Sequence, residues 1–133
     1  MLSMPLFRRK PRDDAPVDLN ERSPKSGLKY KDIELLGQMM KNGADLSRPR
    51  HVVYYLYLPS REAAETAAAE PRREGFACNV REPLPAHPGQ WALICERSDA
   101  VLSLDYVRDV DNLFQGIADR LNGEFDGWEA SVS

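Results

Sequence analysis

The chain has 133 residues, of which 42% are hydrophobic and 29% charged, and its formal net charge is -3. This length predicts a single domain with a hydrophobic core of its own. The slightly acidic balance argues against general affinity for nucleic acid or acidic membranes. No segment approaches the roughly 20 apolar residues of a membrane span, and the N-terminus lacks the apolar core of a secretory signal. We therefore expect a cytoplasmic protein.

Residues 1–28 are predicted to form a disordered arm, because they combine four prolines and many charges with few aliphatic side chains. Such a composition buries too little apolar surface to offset the entropy that is lost on ordering. Its basic cluster, Arg8-Arg9-Lys10, is either a contact for RNA or an acidic partner, or simply a solvated tail, which is the interpretation we favour. The folded domain is predicted over residues 29–133.

A first helix is predicted over residues 30–42, and Gly43 stands where a glycine commonly ends a helix. Its apolar residues recur at steps of three and four along one face: Ile33, Leu36, Met39 and Met40. The two methionines are expected to pack in the core, although they are also typical of partner-binding surfaces.

A strand is predicted over residues 51–58, where the sequence HVVYYLYL is rich in β-branched and aromatic residues. One face would carry Val52, Tyr54, Leu56 and Leu58, and the other would carry Val53, Tyr55 and Tyr57. Because both faces are largely apolar, we expect this strand to be interior to its sheet.

The next predicted helix follows Ser60, which can cap its N-terminus, and is rich in alanine and glutamate over residues 61–70. Pro71 removes one helical hydrogen bond, so we expect a kink or break near Glu70. Gly75 then ends this segment.

Two further strands are predicted over residues 76–81 and 91–96, on either side of the proline-rich loop PLPAHPGQ. The first of them alternates apolar and polar residues, as a half-buried strand does. The loop has three prolines and a glycine and is therefore interpreted as a turn or flap.

A long amphipathic helix is predicted to start after Ser103 and to stop at Asn122-Gly123, and residues 124–130 form a last short strand. The element order then predicts an α+β fold, a ferredoxin-like βαββαβ sandwich preceded by an extra N-terminal helix. Two helices would cover one face of a four-stranded antiparallel sheet. The extra helix lies outside that unit and is a candidate cover for part of the other face.

The sequence offers little for catalysis or metal binding. Cys78 and Cys95 are not in a CxxC pair, and a zinc site needs about four ligands at characteristic spacing. We expect two reduced, buried thiols, with a disulfide as the open alternative. The two histidines, His51 and His87, lie outside any catalytic motif, and a Cys78–His87 pair would lack an orienting third group. We therefore expect no enzyme activity, no metal and no cofactor.

The stretch Asp126-Gly127-Trp128 has two interpretations. In the structural one, Gly127 permits a bulge and Trp128 fills the core, while Asp126 binds a nearby backbone amide. In the functional one, Asp126 and Trp128 share a strand face with Tyr55 and Tyr57 and form a partner-binding patch on the side away from the two long helices. Such a patch would equally serve a homodimer or lie beneath the first helix.

Direct RNA binding is a weaker hypothesis. Tyr55 and Tyr57 are placed as the base-stacking aromatics of RNA-recognition domains would be. However, the later strand GQWALICER lacks the glycine and aromatic pattern that completes such a surface. The acidic composition also opposes phosphate binding, so no direct contact with nucleic acid is expected.

Glu124-Phe125-Asp126-Gly127-Trp128 resembles the signature that closes the domain of the ribonuclease E inhibitor B (RraB-like) family. The Asn122-Gly123 helix stop, the Glu74-Gly75-Phe76 segment and the turn from Lys41 to Asp45 are similar to that family as well. The resemblance spans roughly residues 31–131.

This resemblance implies a regulator that binds ribonuclease E and so alters RNA cleavage or the composition of the degradation complex. A member of such a family has no catalytic activity of its own. The candidate partner-binding residues are Tyr55, Tyr57, Asp126 and Trp128. The alternatives are a protein-binding adaptor with a different client and a weak RNA-binding module.

Overall fold

The structure, a computed structural model, describes residues 18–132. The basic cluster Arg8-Arg9-Lys10 lies outside these residues. The described chain divides into two compact units, one that ends at Asp45 and also includes Val132, and one that spans Leu46–Ser131. No helix in this part of the chain is long and apolar enough to cross a membrane.

Part of the predicted arm is ordered in the first unit. Residues 18–28 form turns, and an isolated antiparallel bridge joins Arg22 to Lys29. Ser26 Oγ accepts a hydrogen bond from the backbone amide of Leu28 at 3.2 Å, and the Leu28 side chain is buried. Short polar side chains that bind the backbone stabilise turns whatever the overall composition, which is why composition alone misses this segment.

The first helix is α1 (Tyr30–Lys41), and Gly43 follows its C-cap as predicted. Gly43 has a φ of 87°, and the amides of Gly43 and Ala44 donate to the carbonyls of Met40 and Met39, each at 3.0 Å. This pair of bonds is the Schellman ending of a helix. Met39 is buried but Met40 is 63% exposed, so only one of the two methionines packs inside.

The second unit has the predicted α+β architecture. Its elements are β1 (Arg50–Leu58), α2 (Arg61–Arg73), β2 (Ala77–Arg81), β3 (Trp91–Ala100), α3 (Leu104–Arg120) and β4 (Glu124–Ala130). The four strands form an antiparallel sheet in the order β2-β3-β1-β4, which is the ferredoxin-like arrangement. The expectation that β1 is interior is confirmed.

Serine caps begin both helices of this unit where the sequence predicts them. Ser60 Oγ accepts a hydrogen bond from the amide of Ala63 at 3.0 Å, and Ser103 Oγ accepts one from the amide of Tyr106 at 3.1 Å. Each bond satisfies one of the free amides at a helix start. The caps therefore set the points at which the chain leaves β1 and β3 to cross the sheet.

Of the kink or break expected near Glu70, the break does not occur: α2 continues through Pro71 to Arg73. The amide of Glu74 donates to the carbonyl of Glu70 at 3.1 Å and closes the last turn. Proline forfeits one hydrogen bond near the end of the helix, and its buried ring packs in the core. Packing of the proline ring in the core thus outweighs the tendency of proline to interrupt a helix.

The core lies between the sheet and helices α2 and α3 and is centred on stacked aromatic rings. Tyr54 and Phe114 stack with centroids 4.6 Å apart, and Phe76 meets both rings edge-on. The ring of Phe125 completes the cluster, with its centroid 5.8 Å from that of Phe114. These rings join β1, the residue before β2, β4 and α3, so the cluster ties the sheet to the helix.

Candidate functional site

The sheet has an inner face, packed on α2 and α3, and an outer face on the other side. Along β1 the even-numbered apolar side chains are buried on the inner face, as predicted: Val52, Tyr54, Leu56 and Leu58. Tyr55 and Tyr57 are half-buried on the outer face. Register places Tyr55 opposite Ile94, and Tyr57 opposite Ala92 and Glu124.

A β-bulge lies in β4 beside Tyr55. In the register of β1 with β4, Tyr54 pairs with Trp128 and Leu56 pairs with Phe125. Between these two pairs β1 has one residue, Tyr55, whereas β4 has two, Asp126 and Gly127. Gly127 has a φ of 95°, a conformation that glycine adopts without steric cost. The extra residue therefore matches the structural interpretation of this glycine.

The bulge separates Asp126 from Trp128. Trp128 stacks on Tyr54 at 5.9 Å on the inner face, while Asp126 is exposed on the outer face. The prediction that these two residues share a face is wrong, because the additional residue reverses the alternation of side chains. Of the four candidate residues, the structure brings Tyr55, Tyr57 and Asp126 together on the outer face. Trp128 lies on the inner face.

Two polar pairs cross the strands of the outer face. Tyr55 Oη donates a hydrogen bond to Glu129 Oε1 at 2.6 Å, and His51 Nε2 lies 2.7 Å from Glu96 Oε1. The hydrogen bond to Glu129, slight burial and the charge of that carboxylate together raise the pKa of Tyr55 to about 12. The neutral phenol is favoured because it donates the bond, whereas a phenolate would face a second anion.

We expect Glu129→Gln to lower the pKa of Tyr55 toward the ordinary value of about 10, because the glutamine carries no charge. Since the folded-state pKa of Tyr55 exceeds the ordinary value, its bond stabilises the fold below about pH 10 and that contribution is lost as the pH rises through 12. Tyrosine Cζ chemical shifts followed by NMR, with Tyr55→Phe to assign the signal, would measure the change. An unaltered pKa in the variant would contradict the role given to Glu129.

A groove of about 430 Å³ opens on the outer face beside the loop that joins β2 and β3. Its floor contains Tyr55, Tyr57, Ala92 and Ile94, and its loop side contains Leu84 and His87. Leu84 is 67% exposed and stands beside the apolar floor of the groove. The loop that the sequence marks as a turn or flap therefore forms one wall of a largely apolar groove.

The surroundings of the groove are acidic. Glu82, Glu124 and Asp126 line it and are exposed, while Arg81 supplies a positive charge at the same place. Three carboxylates against one guanidinium give the groove a negative potential at neutral pH. The geometry thus combines aromatic and aliphatic surface with carboxylates that favour a cationic ligand.

The cysteines do not form a catalytic pair with His87. Cys78 and Cys95 face each other in the register of β2 and β3, and both are buried and free. A hydrogen bond with Cys78 and burial raise the pKa of the Cys95 thiol, so it stays protonated at neutral pH. His87 lines the groove instead. Within residues 18–132, no group of three or more His, Cys, Asp or Glu side chains is placed to hold a metal.

Sequence reasoning missed Leu84, Glu124 and Glu129 as parts of this face. For Leu84 the signal was weak, a large aliphatic residue among prolines, because single exposed aliphatic side chains are common on protein surfaces. The Tyr55–Glu129 contact left no such signal, because cross-strand neighbours depend on register, and the bulge sets the register here.

Fold and site together define a small α+β domain with an acidic, partly aromatic groove on one sheet face. The family model described as regulator of ribonuclease activity B, or RraB, matches residues 29–130. Because the match covers well over half of the chain, this protein belongs to the RraB family. Membership implies a role in regulating ribonuclease activity. None of the curated proteins compared with the chain matches it.

Proposed function

We propose that this protein is a non-catalytic regulator that binds ribonuclease E in the cytoplasm and thereby modulates its cleavage of RNA. The observation that carries the proposal is the family match over residues 29–130. The choice of ribonuclease E among ribonucleases rests on the resemblance of the Glu124–Trp128 stretch to the family signature.

The groove on the outer face is the contact surface that we assign to this function. Tyr55 and Tyr57 offer aromatic area, and Asp126 offers a charge at the edge. Aromatic residues in such positions often dominate binding energy. Trp128 has a supporting role, since it stacks on Tyr54 beneath the same part of the sheet.

The acidic groove favours a protein partner over RNA. Glu82, Glu124 and Asp126 would repel phosphates, and the outer face of β3 presents Ala92, Ile94 and Glu96 rather than a stacking aromatic. The alternative function is that of a protein-binding adaptor with a client other than ribonuclease E, which the same groove would serve.

Calorimetry would test the proposal, with the purified protein titrated separately into the catalytic and the scaffold halves of the host's ribonuclease E at two salt concentrations. An RNA-cleavage assay with and without the protein would accompany it. Micromolar or tighter binding with altered cleavage would support the regulator. Absence of binding to either half would favour the adaptor, and a salt-sensitive shift of RNA alone would favour the RNA-binding module.

We expect Tyr57→Ala to weaken binding of the ribonuclease by about tenfold or more, because truncation of a central aromatic side chain typically costs about 2 kcal/mol. Leu104→Ala is the matched control, since Leu104 is 59% exposed and lies on α3, away from the outer face. Circular dichroism would verify that both variants fold. Equal affinity of both variants and the parent protein would count against the groove as the contact surface.

A further inference from the structure

The groove has an apolar interior of limited size. Tyr57, Ala92 and Ile94 form its floor, and the exposed Leu84 stands at its side. A volume of about 430 Å³ is near the lower end of the roughly 300–1,000 Å³ that is usual for ligand clefts. It therefore suits one or two apolar side chains of a partner better than a large flat surface.

The carboxylates around this interior outnumber the one positive charge that lines the groove, that of Arg81. Glu96 and Glu129 each contact a side chain of β1, but Glu82, Glu124 and Asp126 have no ion-pair partner among residues 18–132. Their exposure makes them available to an incoming ligand. Clustered charges of one sign beside low-dielectric surface attract opposite charges and select against like ones.

We infer that the groove recognises a short protein segment in which one apolar side chain is flanked by lysine or arginine residues. The apolar side chain enters between Tyr57 and Leu84, and the cations lie against Glu82, Glu124 and Asp126. This inference rests on the proposed function in taking a protein as the partner, and it adds the chemistry of the segment that is bound. Nucleic acid does not meet the requirement, because its phosphates are anionic.

Synthetic peptides would test the required chemistry directly. The probe is a nine-residue peptide with a central leucine and two arginines on each side, titrated into the full ¹⁵N-labelled chain and followed by NMR. We expect shifts of the Tyr57, Ile94 and Asp126 signals. Replacing the central leucine by alanine, or the arginines by glutamates, should weaken binding by about tenfold or more, since each replacement removes one of the two complementary features.

Charge reversal at the groove has a matched control. Glu124→Lys with Asp126→Lys should weaken binding of the arginine–leucine peptide by about tenfold or more. Glu62→Lys with Asp119→Lys changes the net charge equally but alters exposed residues of α2 and α3. That control should keep the affinity within about twofold, because screened charges on the far side contribute little. If the first variant fails to fold, Glu82→Lys in the loop provides the same test with a smaller effect.

Two results would overturn the inference. Equal weakening in both double variants would mean general attraction of cations, and binding that occurs only after residues 1–17 are removed would mean that the chain's own basic segment is the occupant.

The ribonuclease assay separates this inference from the proposed function. Peptide binding without ribonuclease binding leaves the groove chemistry standing and rejects the function. Ribonuclease binding that is unaffected by Glu124→Lys with Asp126→Lys leaves the function and rejects the groove.

Discussion

Replacing Phe114 with alanine is expected to lower the free energy of unfolding by about 3–5 kcal/mol, the usual cost of removing a buried aromatic side chain. Phe114 is fully buried and contacts the rings of Tyr54, Phe76 and Phe125. Its loss would leave a cavity between α3 and the sheet that the surrounding rings are too rigid to close. Urea denaturation followed by circular dichroism would measure the change.

Leu104→Ala is the control for this experiment, because Leu104 lies on the same helix and is largely exposed. Its substitution should change the free energy of unfolding by no more than about 0.5 kcal/mol. A loss of less than about 1 kcal/mol for Phe114→Ala would show that the core can rearrange around the missing ring, contrary to its assigned role.

Gly123→Ala is expected to destabilise the fold by about 1–3 kcal/mol through crowding. A methyl group at Gly123 would lie 2.6 Å from the carbonyl oxygen of Tyr57 and 2.6 Å from Leu58 Cδ1. The leucine methyl group can rotate away, but the carbonyl belongs to the central strand and can yield only if β1 and β4 shift. Because Gly123 has no side chain, the segment between α3 and β4 can pack directly against β1.

The matched control is Gly116→Ala, the same substitution inside α3. A methyl group there would meet only Arg120 Nη1 at an ordinary 3.5 Å. Because glycine in a helix interior is less stable than alanine by roughly 0.5–1 kcal/mol, this variant should gain that amount. Thermal unfolding of both variants should therefore show melting temperatures displaced in opposite directions. A shift in the same direction would refute the steric argument.

The sequence predicted the fold wherever a pattern was local and repeated. The alternation along β1 indicated both its faces and its interior position, and the serines at 60 and 103 located the helix starts. These features succeed because neighbouring residues alone determine side-chain direction and capping.

Features that depend on partners distant in sequence were the ones that prediction missed. The sequence of β4 indicates that Gly127 permits a bulge, but only the register with β1 shows that the bulge sends Asp126 and Trp128 to different faces. Pro71 likewise breaks a helix by local rules, yet burial of its ring holds α2 together. Tyr55 and Tyr57 lie on the face that the alternation predicts, because the extra residue of the bulge is in β4 and leaves the alternation of β1 intact.

The bulge at Gly127 also bears on how such a protein can diverge. Within the short stretch that resembles the family signature, Phe125 and Trp128 pack against Tyr54 on the inner face. Asp126, in the same stretch, is exposed on the outer face. Substitutions at position 126 can alter the groove without disturbing the rings beneath it. Related proteins can therefore differ in the partner that this strand binds and still keep the same folded core.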